Sequence, residues 1–193
     1  MLRRVKKKIE DIPTPTEQEL YYRMMEMPNP YKSNAAFMYL FGNRVSEALK
    51  DYQLIRAEII EKDGFLIVNK IATLKREGRP FRMAYVDLNG EGEKVFADII
   101  IEFINTLSPL QPIWTHSRKT QWYYCDKHLK IPPHKLRGMR ATKDAVTYDL
   151  DAIDLKRKFN WKSDKMAMLY AAKNPSDIMG KIKKARKNEK NNS

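Results

Sequence analysis

Four residues in the carboxy-terminal part of the chain have types that can act together on a phosphate. His134 and Arg137 lie three residues apart, Trp161 follows, and Tyr170 lies nine residues after Trp161. Residues three apart on a helix share one face, so His134 and Arg137 can contact one ligand. The pair Pro132–Pro133 favours a helix start there, and the unpaired N–H groups of a first turn attract anions. A phosphate is the ligand that this arrangement favours.

Each of these residues also has an ordinary structural interpretation. A tyrosine on an amphipathic helix usually packs in a core, a tryptophan is usually a buried anchor, and an arginine in a basic protein is usually solvated. The order of all four residues distinguishes them from chance. A histidine and arginine in an HxLR segment, then a helix, then Trp161 and Tyr170, resemble the carboxy-terminal signature of the tyrosine recombinase (phage-integrase-like) superfamily.

Two further segments upstream resemble the same superfamily, in the expected order. Residues 36–49, AFMYLFGNRVSEAL, resemble its first arginine box, in which Arg44 matches the first catalytic arginine. Residues 65–86 resemble its β-hairpin with a lysine in the turn, and Lys75 is the best match. The resemblance covers residues 33–173, and separated boxes in order support a motif hypothesis better than any single box.

The resemblance implies a fold and a reaction. The fold is mixed α+β and mainly α: a tyrosine-recombinase catalytic domain with a small three-stranded antiparallel sheet packed against a helical core. The reaction is site-specific recombination, in which Tyr170 attacks a DNA phosphodiester to give a 3′-phosphotyrosine and a free 5′-hydroxyl. Because a tyrosine hydroxyl has a reference pKa of about 10, it needs nearby positive charge to become a good nucleophile.

The resemblance also implies roles for the other residues. Arg44 and Arg137 would bind the phosphate and stabilise its transition state, because planar guanidinium groups donate to two oxygens each. His134 would hydrogen-bond a nonbridging oxygen or assist proton transfer, Trp161 would donate a hydrogen bond, and Lys75 would protonate the leaving 5′ oxygen. The intermediate conserves the phosphoester energy, so no metal or nucleotide cofactor is expected. The residues predicted to contact DNA are Arg76, Arg79, Arg118, Lys119, Lys135 and Arg140.

Composition agrees with a polyanionic partner. The formal net charge is +13 and the pI is near 9.7, which suits nucleic acid or an anionic membrane surface. The sequence has no apolar run of transmembrane length and no signal-peptide core at its start. We therefore expect a soluble intracellular protein that binds no membrane. The resemblance implies double-stranded DNA as its partner, a homotetramer on paired DNA sites, and a cytoplasmic location associated with the host nucleoid.

Cysteine and histidine usage argues against other kinds of site. Cys125 is the single cysteine, which excludes an internal disulfide, and its simplest interpretation is a small hydrophobic residue. The three histidines show no spacing typical of a zinc site.

The pattern of the chain predicts ten elements. Thr16, Ser33 and Ser163 are candidate helix caps, and Gly42 and Asn43 interrupt a buried apolar helix just before Arg44. Arg44 either pairs with Glu47 or contacts a phosphate, with Glu47 as its support. Helices are predicted over 17–27, 34–42, 91–107, 117–129, the HxLR segment, 151–159 and 163–172, and strands over 54–61, 65–74 and 80–88.

The expected organisation is a basic arm with a short helix over 1–30, a catalytic domain over 31–174 and a basic tail over 175–193. Members of the superfamily usually carry a further amino-terminal domain. The chain is therefore either a catalytic fragment of a longer protein, which we favour, or a reduced recombinase whose basic arm and tail supply the missing grip on DNA. An archaeal virus or plasmid integrase is the suggested source. Two alternatives remain at this stage. One is a type IB topoisomerase-like enzyme that cleaves and relaxes DNA, and the other is a noncatalytic DNA-binding protein on the same fold.

Overall fold

The structure is a computed structural model that describes residues 13–47, 49, 54–73, 81–161 and 163–171. The chain divides into two compact units, Met1–Arg140 and Ala141–Ser193. In the described part of the chain, the element order is α1 (Glu17–Met25), α2 (Tyr31–Phe41), β1 (Ile59–Lys62), β2 (Phe65–Ala72), β3 (Phe81–Asp87), α3 (Glu91–Ile104), α4 (Arg118–Tyr124), α5 (Pro133–Thr147), α6 (Ala152–Phe159) and α7 (Asp164–Ala171).

Helix α1 begins with the capping interaction that its sequence predicts. The Thr16 hydroxyl accepts a hydrogen bond from the Glu19 N–H, and the Glu19 carboxylate accepts one from the Thr16 N–H. Leu20 and Met24, one turn apart, are both fully buried. The helix therefore adds one apolar stripe to the core of the first unit.

Helix α2 lies inside that core, as its wide apolar face predicts. Every residue from Ser33 to Phe41 is buried. The prediction that Ser33 caps the helix is wrong, because α2 begins two residues earlier, at Tyr31. The Ser33 hydroxyl instead donates to the Pro30 carbonyl at 2.9 Å and accepts from the Trp114 indole N–H at 3.0 Å. Replacing a core residue such as Phe37 by alanine should cost about 3–5 kcal/mol.

The sheet is the predicted three-stranded antiparallel meander, in the order β1-β2-β3. Ile59 pairs with Val68 and Lys62 with Phe65, and the register between β2 and β3 shifts between Val68 and Ile71. Strand β1 is shorter than predicted because residues Arg56–Glu58 form a 3-10 turn. Alternation directs one side of the sheet into the core, where the buried side chains are Leu66, Val68, Ala84 and Val86.

The second unit has its own small core. The Asp151 carboxylate caps α6 by accepting from the N–H groups of Ile153 and Asp154, and the Ser163 hydroxyl accepts from the Lys165 N–H at 3.2 Å at the start of α7, as predicted. Its fully or nearly fully buried apolar residues are Ala141, Ala145, Leu155, Phe159, Trp161 and Ala167.

The described elements confirm the predicted class. Seven α-helices and one small antiparallel sheet make up the described part of the chain, which is a mixed and mainly helical architecture. Within that part, no helix is both long and apolar enough to cross a membrane.

Candidate active site

The local fold before Arg44 positions this residue at the end of the buried helix α2. Gly42 ends α2 in the left-handed conformation, with φ of 57°, which a side chain at this position would strain. The Asn43 side chain is buried and donates to the Arg44 carbonyl at 3.0 Å. A 3-10 turn, Val45–Glu47, follows at once. This tight exit from the core brings Arg44 next to the carboxylate three residues further on.

Glu47 brings together the two arginines that sequence analysis selected. Its side chain is only 1% exposed. One carboxylate oxygen accepts from the Arg44 guanidinium at 2.6 Å, and the other accepts from the Arg44 backbone N–H at 2.7 Å. That second oxygen also lies 3.6 Å from the Arg137 guanidinium, an ion-pair distance. Two arginines from distant parts of the sequence therefore share one buried anion, which we call the Arg44–Glu47–Arg137 cluster.

The two arginines of the cluster are exposed to solvent to different extents. The Arg44 side chain is 36% exposed and the Arg137 side chain 10%. A carboxylate neutralises only part of the charge of two guanidinium groups, so the cluster keeps a net positive charge. Such an arrangement can bind an anion while its fixed geometry keeps both donors oriented.

Arg82 is a further residue of this region that sequence reasoning missed. It lies on β3 between Phe81 and the buried Ala84, and its guanidinium donates to the Phe41 carbonyl at 2.7 Å, at the end of α2. Burial lowers the pKa of Arg82 to about 10, with Glu47 opposing the shift and Arg44 adding to it. The sequence signal that could have found Arg82 is the alternation along β3. Arg82 lies two residues before Ala84, so alternation places it on the inward-facing side, where an apolar residue is expected.

His134 lies in the first turn of α5, one turn before Arg137. Pro133 is the first residue of this helix, as the sequence predicts. The imidazole is exposed on one side and lies 5.8 Å from the Trp122 ring, centroid to centroid. Partial burial, followed by the positive charge of Lys135, holds the pKa of His134 below its usual value. The neutral imidazole, which can accept a proton, is therefore the favoured form near pH 7.

In the second unit, Trp161 and Tyr170 lie in direct contact. The ring centroids of Trp161 and Tyr170 are 5.4 Å apart, and the rings stack at an interplanar angle of 20°. The Phe159 ring also stacks on Trp161, with ring centroids 4.9 Å apart. Trp161 is 5% exposed, whereas Tyr170 is half-buried near the end of α7. Aromatic stacking restrains the orientation of the tyrosine ring relative to the tryptophan.

The residues that were predicted to contact DNA differ in how exposed they are. Arg118 and Lys119 are exposed in the first turn of α4, and Lys135 is half-buried on α5. Arg140 is 2% exposed and pairs with Glu93 at 3.1 Å, so its guanidinium lies inside the first unit instead of at a DNA-facing surface. Three residues that the sequence singled out, Lys75, Arg76 and Arg79, lie outside the described residues.

Cys125 and the histidines form no alternative site in the described part of the chain. The Cys125 thiol is fully buried and accepts from the Gln121 amide at 3.5 Å, and burial raises its pKa to about 12. Among the described residues, no group of three or more His, Cys, Asp or Glu side chains is arranged to hold a metal ion.

At the level of sequence, no family model matches the chain and no curated protein matches it. Solved structures do match its fold. The catalytic domain of bacteriophage HP1 integrase has a TM-score of 0.59 at 15% identity, over 90% of this chain and 95% of that domain. The chain has an integrase catalytic-domain fold.

Two other solved structures share this integrase fold. The XerH site-specific recombinase bound to its difH substrate, in a pre-cleavage complex, has a TM-score of 0.62 at 15% identity over 82% of this chain. The Tn1549 transposon integrase in complex with circular intermediate DNA has a TM-score of 0.51 at 13% identity over 94% of this chain. The chain spans about half of the XerH chains that it matches, 50% and 53% of their length. These likenesses give no support to an archaeal source.

Proposed function

We propose that the protein is a site-specific DNA recombinase of the integrase type that cleaves and rejoins DNA through a 3′-phosphotyrosine intermediate. The Arg44–Glu47–Arg137 cluster is the observation that carries this proposal. It joins two arginines selected from separate motifs, in a fold shared with the HP1 integrase catalytic domain. A cluster with this charge suits a phosphodiester.

In the proposed reaction, the Tyr170 oxygen attacks the phosphorus and forms a phosphotyrosine bond while the bond to the 5′ oxygen breaks. Arg44 and Arg137 bind the nonbridging oxygens, whose charge grows in the pentacovalent transition state, and therefore stabilise that state more than the ground state. The reverse attack by a second 5′-hydroxyl releases Tyr170 and joins new strands. Because one phosphoester replaces another, the step needs no nucleotide hydrolysis.

The remaining residues have supporting roles in this proposal. Neutral His134 would accept the Tyr170 proton or hydrogen-bond a nonbridging oxygen. Trp161, stacked on Tyr170, would orient the nucleophile and donate its indole N–H. Lys75 would protonate the leaving 5′ oxygen. DNA backbone contacts would come from Arg76, Arg79, Arg118, Lys119 and Lys135, and we assign Arg140 to the interior with Glu93 instead.

The biological role follows from these assignments. The solved structures that share the fold include the catalytic domain of a bacteriophage integrase and a transposon integrase in complex with DNA. We propose that this chain recombines the double-stranded DNA of a mobile element or viral genome, in the cytoplasm at the host nucleoid. Recombination between two sites needs two cleavages at each, which suits a tetramer on paired DNA. The domain boundaries proposed above, with the catalytic domain over 31–174, accompany this assignment.

A suicide duplex tests the proposal. A nick near the cleavage point lets a short product diffuse away, which traps any covalent intermediate for a denaturing gel. We expect a protein–DNA adduct that protease removes, lost in Tyr170→Phe and kept in Tyr148→Phe, which removes a hydroxyl from an exposed tyrosine of the same unit. Duplex binding without any adduct would support the noncatalytic alternative, and relaxation of supercoiled DNA by the monomer would support the topoisomerase-like one.

A further inference from the structure

The outer face of the sheet carries apolar side chains where polar ones are usual. An antiparallel sheet with one side in the core normally presents polar residues on the other side. Here Met83 is 63% exposed, Tyr85 58%, Phe81 50% and Ile60 41%. We call this surface the outer sheet face, and its members are Ile60, Lys62, Phe65, Ile67, Phe81, Met83, Tyr85 and Asp87. Asn69 and Lys70 of β2, where the register shifts after Val68, are exposed as well.

The apolar part of this face is a continuous surface. Phe65, Ile67, Met83 and Tyr85 line one shallow groove, and the Phe65 and Tyr85 rings meet edge to face at 6.0 Å. Exposed apolar patches of this kind mark interaction sites in soluble proteins more often than scattered single residues do. The groove is therefore a candidate docking site, and the charged residues of the same face indicate the chemistry of the partner that binds there.

The two charged members of the face lie at opposite edges of one row. Lys62 on β1 pairs with Phe65 on β2, which pairs with Asp87 on β3. The neighbouring row has Ile60, Ile67 and Tyr85 in the same order. Two hydrogen bonds from Asn89 to one oxygen of Asp87 orient that carboxylate. Each row thus has different side chains at its two ends.

A second copy of the same face complements this pattern. When the second copy is turned by half a rotation about an axis parallel to the strands, its β1 lies over β3 of the first copy and each row lies over itself. Lys62 then faces the Asp87 carboxylate of the other copy, and Ile60 faces Tyr85, twice in each dimer by symmetry. A half-turn about an axis across the strands would place β1 over β1 and would separate the opposite charges. The charge pattern therefore selects one orientation.

We propose that the outer sheet face is a self-association surface, on which two copies of this chain pack face to face with Lys62 opposite Asp87. Face-to-face sheets pack about 10 Å apart with their strands nearly aligned, which lets these side chains interdigitate. The face measures roughly 15 by 23 Å from strand spacing and rise. That is smaller than a standard interface of about 800 Å² per partner, so the dimer belongs to the weak and transient class.

DNA is a poorer occupant of this face. Phosphate binding depends on an excess of Lys and Arg, whereas the two paired rows of the outer sheet face have one cation, Lys62, and one anion, Asp87. The proposed association therefore needs no DNA and does not rest on the proposed cleavage reaction. Its failure and the failure of the recombinase assignment can be told apart in a protein-only measurement.

Sedimentation velocity of the full chain, over a concentration series without DNA, tests the proposal. We expect the mass to rise from the monomer value of 22.8 kDa toward twice that value. Met83→Lys should weaken association by about tenfold or more, since it buries a lysine in the apolar centre of the interface. Leu110→Lys is the matched control, because Leu110 is 79% exposed and lies outside the face. A parent chain that stays monomeric throughout, or a Met83→Lys variant that associates like the control, would overturn the proposal.

Charge exchange tests the orientation. Lys62→Glu places two carboxylates opposite each other and should weaken association about tenfold or more. Adding Asp87→Lys to that variant should restore it, and a folded double variant that stays monomeric would refute the arrangement. Because Asp87 also holds Asn89, its replacement can loosen the turn before α3. If the Asp87 replacement does loosen that turn, the single variants Lys62→Glu and Met83→Lys, which leave the turn intact, test the proposed packing instead.

Discussion

Replacing Glu47 with glutamine tests the cluster that holds the two arginines. The change keeps the size of the side chain and one acceptor oxygen, but it removes the charge that Arg44 and Arg137 share. Glu47 is 1% exposed and makes contacts of 2.6 Å and 2.7 Å to Arg44. A hydrogen bond to a charged group contributes about 1.5–3 kcal/mol. Because Arg44 is 36% exposed and water can solvate it in the variant, we expect a loss near the lower end, about 2 kcal/mol.

Two measurements follow from this estimate. For a chain of this length, about 2 kcal/mol corresponds to a fall in Tm of about 4–8 °C, which calorimetry or circular dichroism resolves. Cleavage of a suicide duplex should fall by about tenfold to a hundredfold, because the guanidinium groups lose their fixed orientation toward the phosphate. DNA affinity should stay close to that of the parent, since both cations remain.

The matched control is Glu102→Gln, which makes the same chemical change at an exposed position on α3. Its stability should change by less than about 0.5 kcal/mol. If Glu47→Gln proved as stable and as active as this control, the structural role assigned to the cluster would be refuted.

Three further predictions concern single side chains. The pKa of His134 lies below its usual 6.5, so the cleavage rate should be constant near pH 7 and fall only when the pH drops below about 6.5. The variant His134→Asn should lose this acidic fall in rate. A fall in the parent rate that is centred above about pH 6.5 would contradict the assignment. Cys125, whose buried thiol has a pKa of about 12, should react with a thiol reagent only after denaturation, and rapid labelling of native protein would show the core to be wrong. Arg82→Met should lower stability by about 1–3 kcal/mol in denaturant titrations, because the Phe41 carbonyl loses its donor; an unchanged midpoint would refute that anchoring role.

Local signals in the sequence predicted most of the fold. The Thr16 capping interaction, the glycine that ends α2 and the proline that begins α5 are each determined by neighbouring residues, so their chemistry can be read from the sequence. Alternation predicted the sheet because one side of it must enter the core. The Ser33 cap was wrong because α2 begins earlier, at Tyr31, so that Ser33 lies inside the helix. Its hydroxyl donates to the Pro30 carbonyl and accepts from Trp114, a residue far away in sequence that no local pattern connects to it.

The candidate site was less predictable because its contacts join distant segments. From the sequence, Glu47 had two alternative roles, a salt bridge to Arg44 or a support for a phosphate contact, and no local pattern indicated that Glu47 also reaches Arg137. Arg140 shows a different error, because the sequence predicted a surface contact for a side chain that lies in the interior. A basic residue near a predicted DNA surface looked like a contact, but its partner Glu93 lies on another helix and holds it in the interior. Charged pairs buried between elements have no local pattern in the sequence.

Peptide mapping of the covalent adduct tests whether Tyr170 is the nucleophile that cleaves DNA. The parent chain is incubated with a suicide duplex in the presence of a metal chelator, digested with protease and nuclease, and examined by tandem mass spectrometry. We expect a nucleotide attached through a 3′ phosphate to the Tyr170 side chain. A nucleotide linked to any other residue, or no linkage to DNA that the protein demonstrably binds, would contradict it.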